Sequence, residues 1–171
     1  MKLHIMGFPG AGKTALARSL AELWGISPTH LDLLVYEPGA IAERPRRDID
    51  RDIAQVMTNG AWVTEGDYDG DWLRPVLDAA DVIVWLDFPW IVCATRMLKR
   101  QVRRTRTTGR YHRGWRHLAW LLAHTLRARK RRVASTQRFL TPYQTKLTLC
   151  RSGADIANLK RRLELVPNDP C

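Results

Sequence analysis

Residues 7 to 14 read Gly7-Phe8-Pro9-Gly10-Ala11-Gly12-Lys13-Thr14, three glycines leading into a cation and a hydroxyl. Glycines at this spacing let backbone N–H groups close around the oxygens of a phosphate. A helix starting behind them adds the positive end of its dipole. Lys13 would then reach the outer phosphates of a polyphosphate tail, and the Thr14 hydroxyl would supply a hard oxygen for Mg²⁺. The pattern is a complete Walker A loop, and Gly7, Pro9, Gly10, Ala11, Gly12, Lys13, Thr14 and Ala15 are the candidate nucleotide-binding residues. The plainer alternative is a glycine turn between a strand and a helix. The intact Gly-Lys-Thr and its flanks weigh against that and imply binding of a nucleoside triphosphate.

Those flanks are the elements that must position the loop. Lys2 to Met6 is a short apolar run that reads as a strand, and Leu16, Leu20 and Leu23 recur at helical spacing. That helix is expected to end at Trp24, with Gly25 as a left-handed cap. Ser27 to Leu31 reads as a weak second strand ending at Asp32, and residues 33 to 46 read as loop, broken by Pro38-Gly39 and Pro45. Arg47 to Met57 is a helix. Ala61 to Thr64 is a strand running into Glu65-Gly66-Asp67, and a short helix covers Pro75 to Ala80. Val82 to Leu86 is the strongest strand, leading to Asp87, and Pro89 suits the first turn of a helix reaching Val102. Thr105 to Gly114 reads as a polar loop. Trp115, Leu118, Leu122 and Leu126 mark a helix ending near Arg132. Lys146 to Cys150 is a last strand, and Ser152 with Asp155 forms a capping-box start for a final helix through Leu163.

Strands alternating with helices predict a parallel sheet covered on both faces. Ligands of such sheets bind beyond the carboxyl ends of the strands. Asp32, Glu65 and Asp87 all fall at expected strand ends on the same edge as the glycine loop, so three acids should converge there.

The chain has 171 residues, 45% of them hydrophobic and 26% charged, a length and composition that predict one globular domain over residues 1–171. Cys93, Cys150 and Cys171 form no CxxC pair, which speaks against a disulfide framework or zinc site and fits a reducing cytoplasm. Cys93 and Cys150 lie in apolar runs and read as core. The opening residues belong to a strand, so no leader peptide is expected. The apolar stretch 118–126 contains His124 and is too short for a bilayer, so no membrane partner is expected. His4, His30, His112, His117 and His124 show no metal-ligand spacing. The formal charge of +11 is uneven: no Asp or Glu occurs between Asp87 and Asp155, a span rich in arginine. A partner with several negative charges is implied.

The segments GFPGAGKT at 7–14, HLDLLVYEPG at 30–39, WVTEGDY at 62–68, and ADVIVWLDFPW followed by Arg96 and Arg100 resemble the small P-loop nucleoside and nucleotide kinases. Among these the chain is most similar to the adenylate-kinase-like group of DNA topology modulation (FlaR-like) proteins. The resemblance covers most of the chain to about residue 113. It implies an α/β P-loop NTPase fold with a five-stranded parallel sheet in the order 2-3-1-4-5, helices on both faces, ATP with Mg²⁺, and an arginine-rich lid over about 103–116.

The same resemblance suggests roles for single residues. Glu65 stands where similar kinases carry an aspartate that contacts Mg²⁺ through water, with Asp67 as the alternative and a solvated turn acid as the plain reading of either. Asp32 stands where kinases similar to shikimate kinase hold a substrate-binding acid. A hydroxyl acceptor gains from a carboxylate that orients it and takes its proton; a simple cap is the alternative for Asp32. Arg44, Arg46, Arg47 and Arg51 lie where monophosphate kinases grip an acceptor phosphate, or else form a solvated face. Arg96 and Arg100 share a helix face and match a pair that stacks on adenine and reaches phosphate. Arg103, Arg104, Arg106 and Arg110 would serve a lid, with Arg100 and Arg104 as catalytic candidates beside Lys13 and Asp32. Arg151, in Arg151-Ser152-Gly153, would border the adenine. Trp72 and Trp90 are candidates to wall an acceptor pocket, or are simple packing anchors.

Two functions follow. One is phosphotransfer from ATP to a small nucleoside, nucleotide or related metabolite. The other is a nucleic-acid-associated ATP-binding protein or ATPase using Arg127 to Arg132, a run without interleaved aromatics and therefore the less favoured reading. Nothing in the sequence sets the oligomeric state.

Overall fold

The structure, a computed structural model, describes residues 1–37, 42–108 and 115–165, the side chains at 104–108, 115, 117 and 121 excepted. Pro38-Gly39, Cys171, and Arg104, Arg106, Arg110 and Arg113 of the expected lid lie outside the described residues or side chains.

Five strands, β1 (Lys2–Gly7), β2 (Thr29–His30), β3 (Trp62–Glu65), β4 (Val82–Leu86) and β5 (Leu147–Cys150), form one sheet in the order β2-β3-β1-β4-β5. All four pairings are parallel. The register aligns Ile5 with Glu65, His30 with Glu65, Gly7 with Leu86, and Leu86 with Cys150. The carboxyl ends of all five strands therefore lie along one edge.

Alternation along each strand divides the core. Leu3, Ile5, Val63, Val84 and Leu86 face α1 (Lys13–Leu23) and α7 (Gly153–Glu164), together with the start of α5 (Trp90–Thr108). Met6, Trp62, Ile83 and Trp85 face the other layer, built from α2 (Leu31–Val35), α3 (Arg46–Met57), α4 (Arg74–Ala79) and the end of α6 (Trp115–Leu140). Cys93 and Cys150 are buried in the first layer, as their apolar settings predict. Burial pushes the Cys150 thiol up to about 11, which suits packing rather than reactivity.

Several boundaries differ from the sequence reading. Residues 31–35 form the short helix α2, so Asp32 sits in a first helical turn beyond a two-residue strand. Burial of Leu31 and Val35, one turn apart, holds that turn in place. α5 runs on to Thr108, so residues 105–108 are helical instead of loop. α6 continues past Arg132 to Leu140, because Phe139 and Leu140 still have core to reach. The helix stops where Pro142 enters a 3₁₀ turn. Gly25 adopts the expected left-handed conformation at φ 64°. At α7 the Ser152 hydroxyl accepts from the Asp155 N–H while the Asp155 carboxylate accepts from the Ser152 N–H, a full capping box.

Candidate active site

The glycine loop spans the gap between β1 and α1. Gly10 (φ 82°) and Gly12 (φ 102°) hold left-handed backbone conformations that disfavour a Cβ. At Gly10 a methyl group would also meet the Cys93 carbonyl oxygen at 2.5 Å, so the loop rests directly on α5. Lys13 lies across the loop, its ammonium donating to the carbonyls of Gly7 at 2.7 Å and Phe8 at 3.3 Å.

Opposite the loop, the end of β3 presents Glu65. Its Oε1 accepts from the Thr14 hydroxyl at 2.9 Å and pairs with His30 Nδ1 at 2.7 Å. One buried carboxylate oxygen thus ties the first turn of α1 to the ends of β2 and β3. Of the two acids considered for the metal, Glu65 is the one that touches Thr14. Asp67 pairs instead with Arg132 of α6 at 3.5 Å. Although 28% of its side-chain surface stays open, desolvation raises the Asp67 carboxyl above its usual range, against the pull of Lys13 and Arg132. Thr14 and Glu65 form a hard oxygen pair at the mouth of the glycine loop, a donor set that could hold Mg²⁺.

Asp32 lies on the β2 side of the same edge. Its Oδ1 accepts from the Tyr68 hydroxyl at 2.7 Å. Tyr68 packs edge-on against Trp72 with 5.0 Å between ring centroids, and the Arg46 guanidinium lies over the Trp72 ring at 5.7 Å. The Tyr68 phenol is raised above its usual range, first by burial and then by Asp32. Trp72 therefore belongs to this wall. Trp90 does not: its indole N–H donates to Thr125 of α6.

The arginines near α3 are engaged by local acids. Arg44 pairs with Asp52 at 2.8 Å and Arg46 with Asp50 at 2.7 Å, while Arg51 reaches both Asp48 and Asp52. Hydrogen bonding from Arg44 holds the Asp52 carboxyl below its usual range. Only Arg47 is loosely held, 3.9 Å from Asp48 and 87% exposed.

On the β4 side, Asp87 is gripped by two arginines, Arg129 at 3.2 Å on one oxygen and Arg151 at 3.2 Å on the other. The third acid of the edge thus serves a bridge between α6 and the β5–α7 turn, and Arg151 is committed to it. Arg96 donates to the Ala11 carbonyl at 2.8 Å and lies over the Phe88 ring at 4.4 Å, so it braces the glycine loop from α5. Arg100 is exposed on the same helix. The Arg104 side chain is outside the described set.

Four contributors were not visible in the sequence. His30 was one histidine among five, and its role comes from its register with Glu65. Tyr68 is polar loop by pattern alone. Arg129 packs against Phe8 of the loop, 5.4 Å from the ring centroid, and Arg132 spans Asp67 and Asp69. Both arginines were hidden in a charge run whose acid partners lie 42 to 65 residues away.

No protein-family model matches the sequence, and no curated protein matches it. Solved structures do. A gluconokinase from Sinorhizobium meliloti 1021 superposes with a TM-score of 0.53 at 16% identity, over 95% of this chain and 94% of that one. A shikimate kinase from Acinetobacter baumannii, in complex with shikimate, gives 0.55 at 17% identity, over 96% and 91%. A shikimate kinase from Bacteroides thetaiotaomicron gives 0.58 at 16% identity, over 96% and 99%. The chain has the fold of these small-molecule P-loop kinases along nearly its whole length.

Proposed function

We propose that the protein is a small-molecule kinase that moves the γ-phosphoryl group of ATP to a hydroxyl of a small metabolite. The observation that carries this reading is the Thr14–Glu65 contact at the mouth of the glycine loop, with Asp32 and Tyr68 facing the same edge. In this reading the loop N–H groups hold the phosphate tail and Lys13 leaves its carbonyl partners for the outer phosphates. Thr14 and Glu65 would hold Mg²⁺, whose charge would offset that of the phosphates. Asp32, steadied by Tyr68, orients the acceptor hydroxyl and takes its proton as the new O–P bond forms and ADP leaves. Arg96 keeps the loop in shape, and Arg100, on the same helix, would meet the charge of the nucleotide. Positioning and charge supply most of the rate.

The names of the neighbours favour a hydroxylated acceptor, and the committed arginines of α3 weigh against a nucleoside monophosphate gripped there. The segments at 30–39 and 62–68 favour a placement within the DNA topology modulation group, and the unpaired Cys93 and Cys150 fit a reducing cytoplasm. The test is ADP release from ATP and Mg²⁺ across nucleosides, nucleotides, sugars and hydroxy acids, with the product identified by mass. One acceptor should accelerate release and gain a phosphoryl group, and Asp32→Asn should abolish that gain. Stimulation by polynucleotide alone, with no metabolite active, would replace this reading by the ATPase one.

A further inference from the structure

A cavity of about 360 Å³ opens along the flank of α6, lined by Asp69, His124, Arg127, Arg131, Arg132 and Ser135. These α6 positions recur every three or four residues and so share one helical face. Arg129 points elsewhere, to Asp87 and Phe8, so the cavity is separate from the phosphate loop. Arg132 joins the two regions by reaching both Asp67, just beyond Glu65, and Asp69 in the cavity.

The cavity's charge is lopsided. Asp69 is engaged on both oxygens, one taking Arg132 at 3.4 Å and the other taking the Ser135 hydroxyl at 2.8 Å. Arg127 and Arg131 are exposed, and neither lies within ion-pair distance of a carboxylate among the described residues. They stand four apart on one helix, a spacing at which like charges repel, and α6 carries no acid of its own. An oxyanion seated between two guanidinium groups would relieve that repulsion and gain forked, charge-assisted hydrogen bonds. The volume suits a small molecule, and the fixed carboxylate of Asp69 on the wall opposes a continuous polyanion.

We propose that this cavity binds a small oxyanion, phosphate or carboxylate, through Arg127 and Arg131. The claim goes beyond the kinase reading and stands apart from it. The anion has two possible sources, free in solution or as one end of a larger small molecule. Calorimetric titrations on protein saturated with a non-hydrolysable ATP analogue, which occupies the glycine loop, use inorganic phosphate in one arm and AMP against adenosine in the other. Phosphate should bind at a second site, and binding should weaken at least about tenfold in Arg127→Gln/Arg131→Gln while analogue affinity stays unchanged. AMP binding far above both phosphate and adenosine, and lost in the double variant, would assign the anion to a larger ligand; equal binding of phosphate and AMP, both lost in the double variant, would assign it to the free ion. Absence of a second site, or equal phosphate affinity in the double variant, overturns the proposal. So does a single-stranded oligonucleotide that occupies the cavity at physiological salt while phosphate does not. If the analogue fails to bind, the kinase reading falls. The phosphate titration of wild type against the double variant then still decides the cavity.

Discussion

At the scale of single residues, the Glu65 carboxylate is the node. A glutamate reaches one methylene further than an aspartate and has one more torsion to fix. His30 Nδ1 at 2.7 Å and the Thr14 hydroxyl at 2.9 Å converge on the same oxygen and supply that restraint. His30→Ala should therefore leave the fold intact but lower the apparent Mg²⁺ affinity of nucleotide binding by roughly tenfold. Calorimetric titration with Mg²⁺ at fixed ATP analogue reads this, and an unchanged Mg²⁺ dependence would remove His30 from the site. His4 makes a different prediction. It is fully buried on β1, hydrogen-bonded to Thr64 at 2.8 Å, with no partner for its Nε2 among the described residues. Burial, helped by Lys13, lowers its pKa to about 3. The unfolded chain takes up a proton near pH 6.5 and the folded one does not, so stability falls as pH drops through that value. Between pH 6.5 and pH 5 the loss from this one group is about 1.5 kcal/mol. Urea midpoints should show a flatter acid limb in His4→Asn than in wild type; parallel limbs would mean that His4 titrates normally.

Among the elements, α6 was the least legible and has the largest part in organising the edge. β1, β4 and the start of α1 could be read directly, because apolar runs and the Gly-Lys-Thr spacing are local signals. The end of α6 could not: Arg129 to Arg132 look like a helix terminus, yet charge does not stop a helix, and the actual stop is Pro142. α2 was missed for the opposite reason, since five residues give no periodicity to detect. The positions of Arg129 and Arg132 depend on acids brought close only by the sheet order, which no spacing along the chain encodes. The consequence for stability is testable. Asp87 is 9% exposed and is held by Arg129, which is 24% exposed, and by Arg151, which is 61% exposed. Arg129→Met strips the better-shielded partner from a buried carboxylate and should cost about 1–3 kcal/mol in urea unfolding. Arg151→Met, at a solvated pair, should cost less than about 1 kcal/mol. Equal losses would mean that the bridge does not anchor α6.

For the whole molecule, the charge of +11 raises the question of nucleic acid. A basic surface attracts any polyanion by releasing counterions, and the affinity falls with salt in proportion to the phosphates contacted. Specific use of DNA would add contacts that survive salt, such as bases stacked on aromatic rings. The exposed basic residues of α6 from Arg127 to Arg131 have no aromatic side chain among them. Trp120, nearer the start of the helix, already stacks on His124 with 5.0 Å between centroids. Single-stranded DNA should thus bind at 50 mM salt and lose roughly two orders of magnitude in affinity by 200 mM, as expected for about five phosphate contacts. ATP turnover with the true acceptor should be unaffected by the DNA at either salt. Fluorescence anisotropy across a salt series, run beside a coupled turnover assay, measures both quantities. Binding that resists salt and accelerates turnover would mean that the basic helix reads nucleic acid, and the charge excess would then belong to the function rather than to the surface.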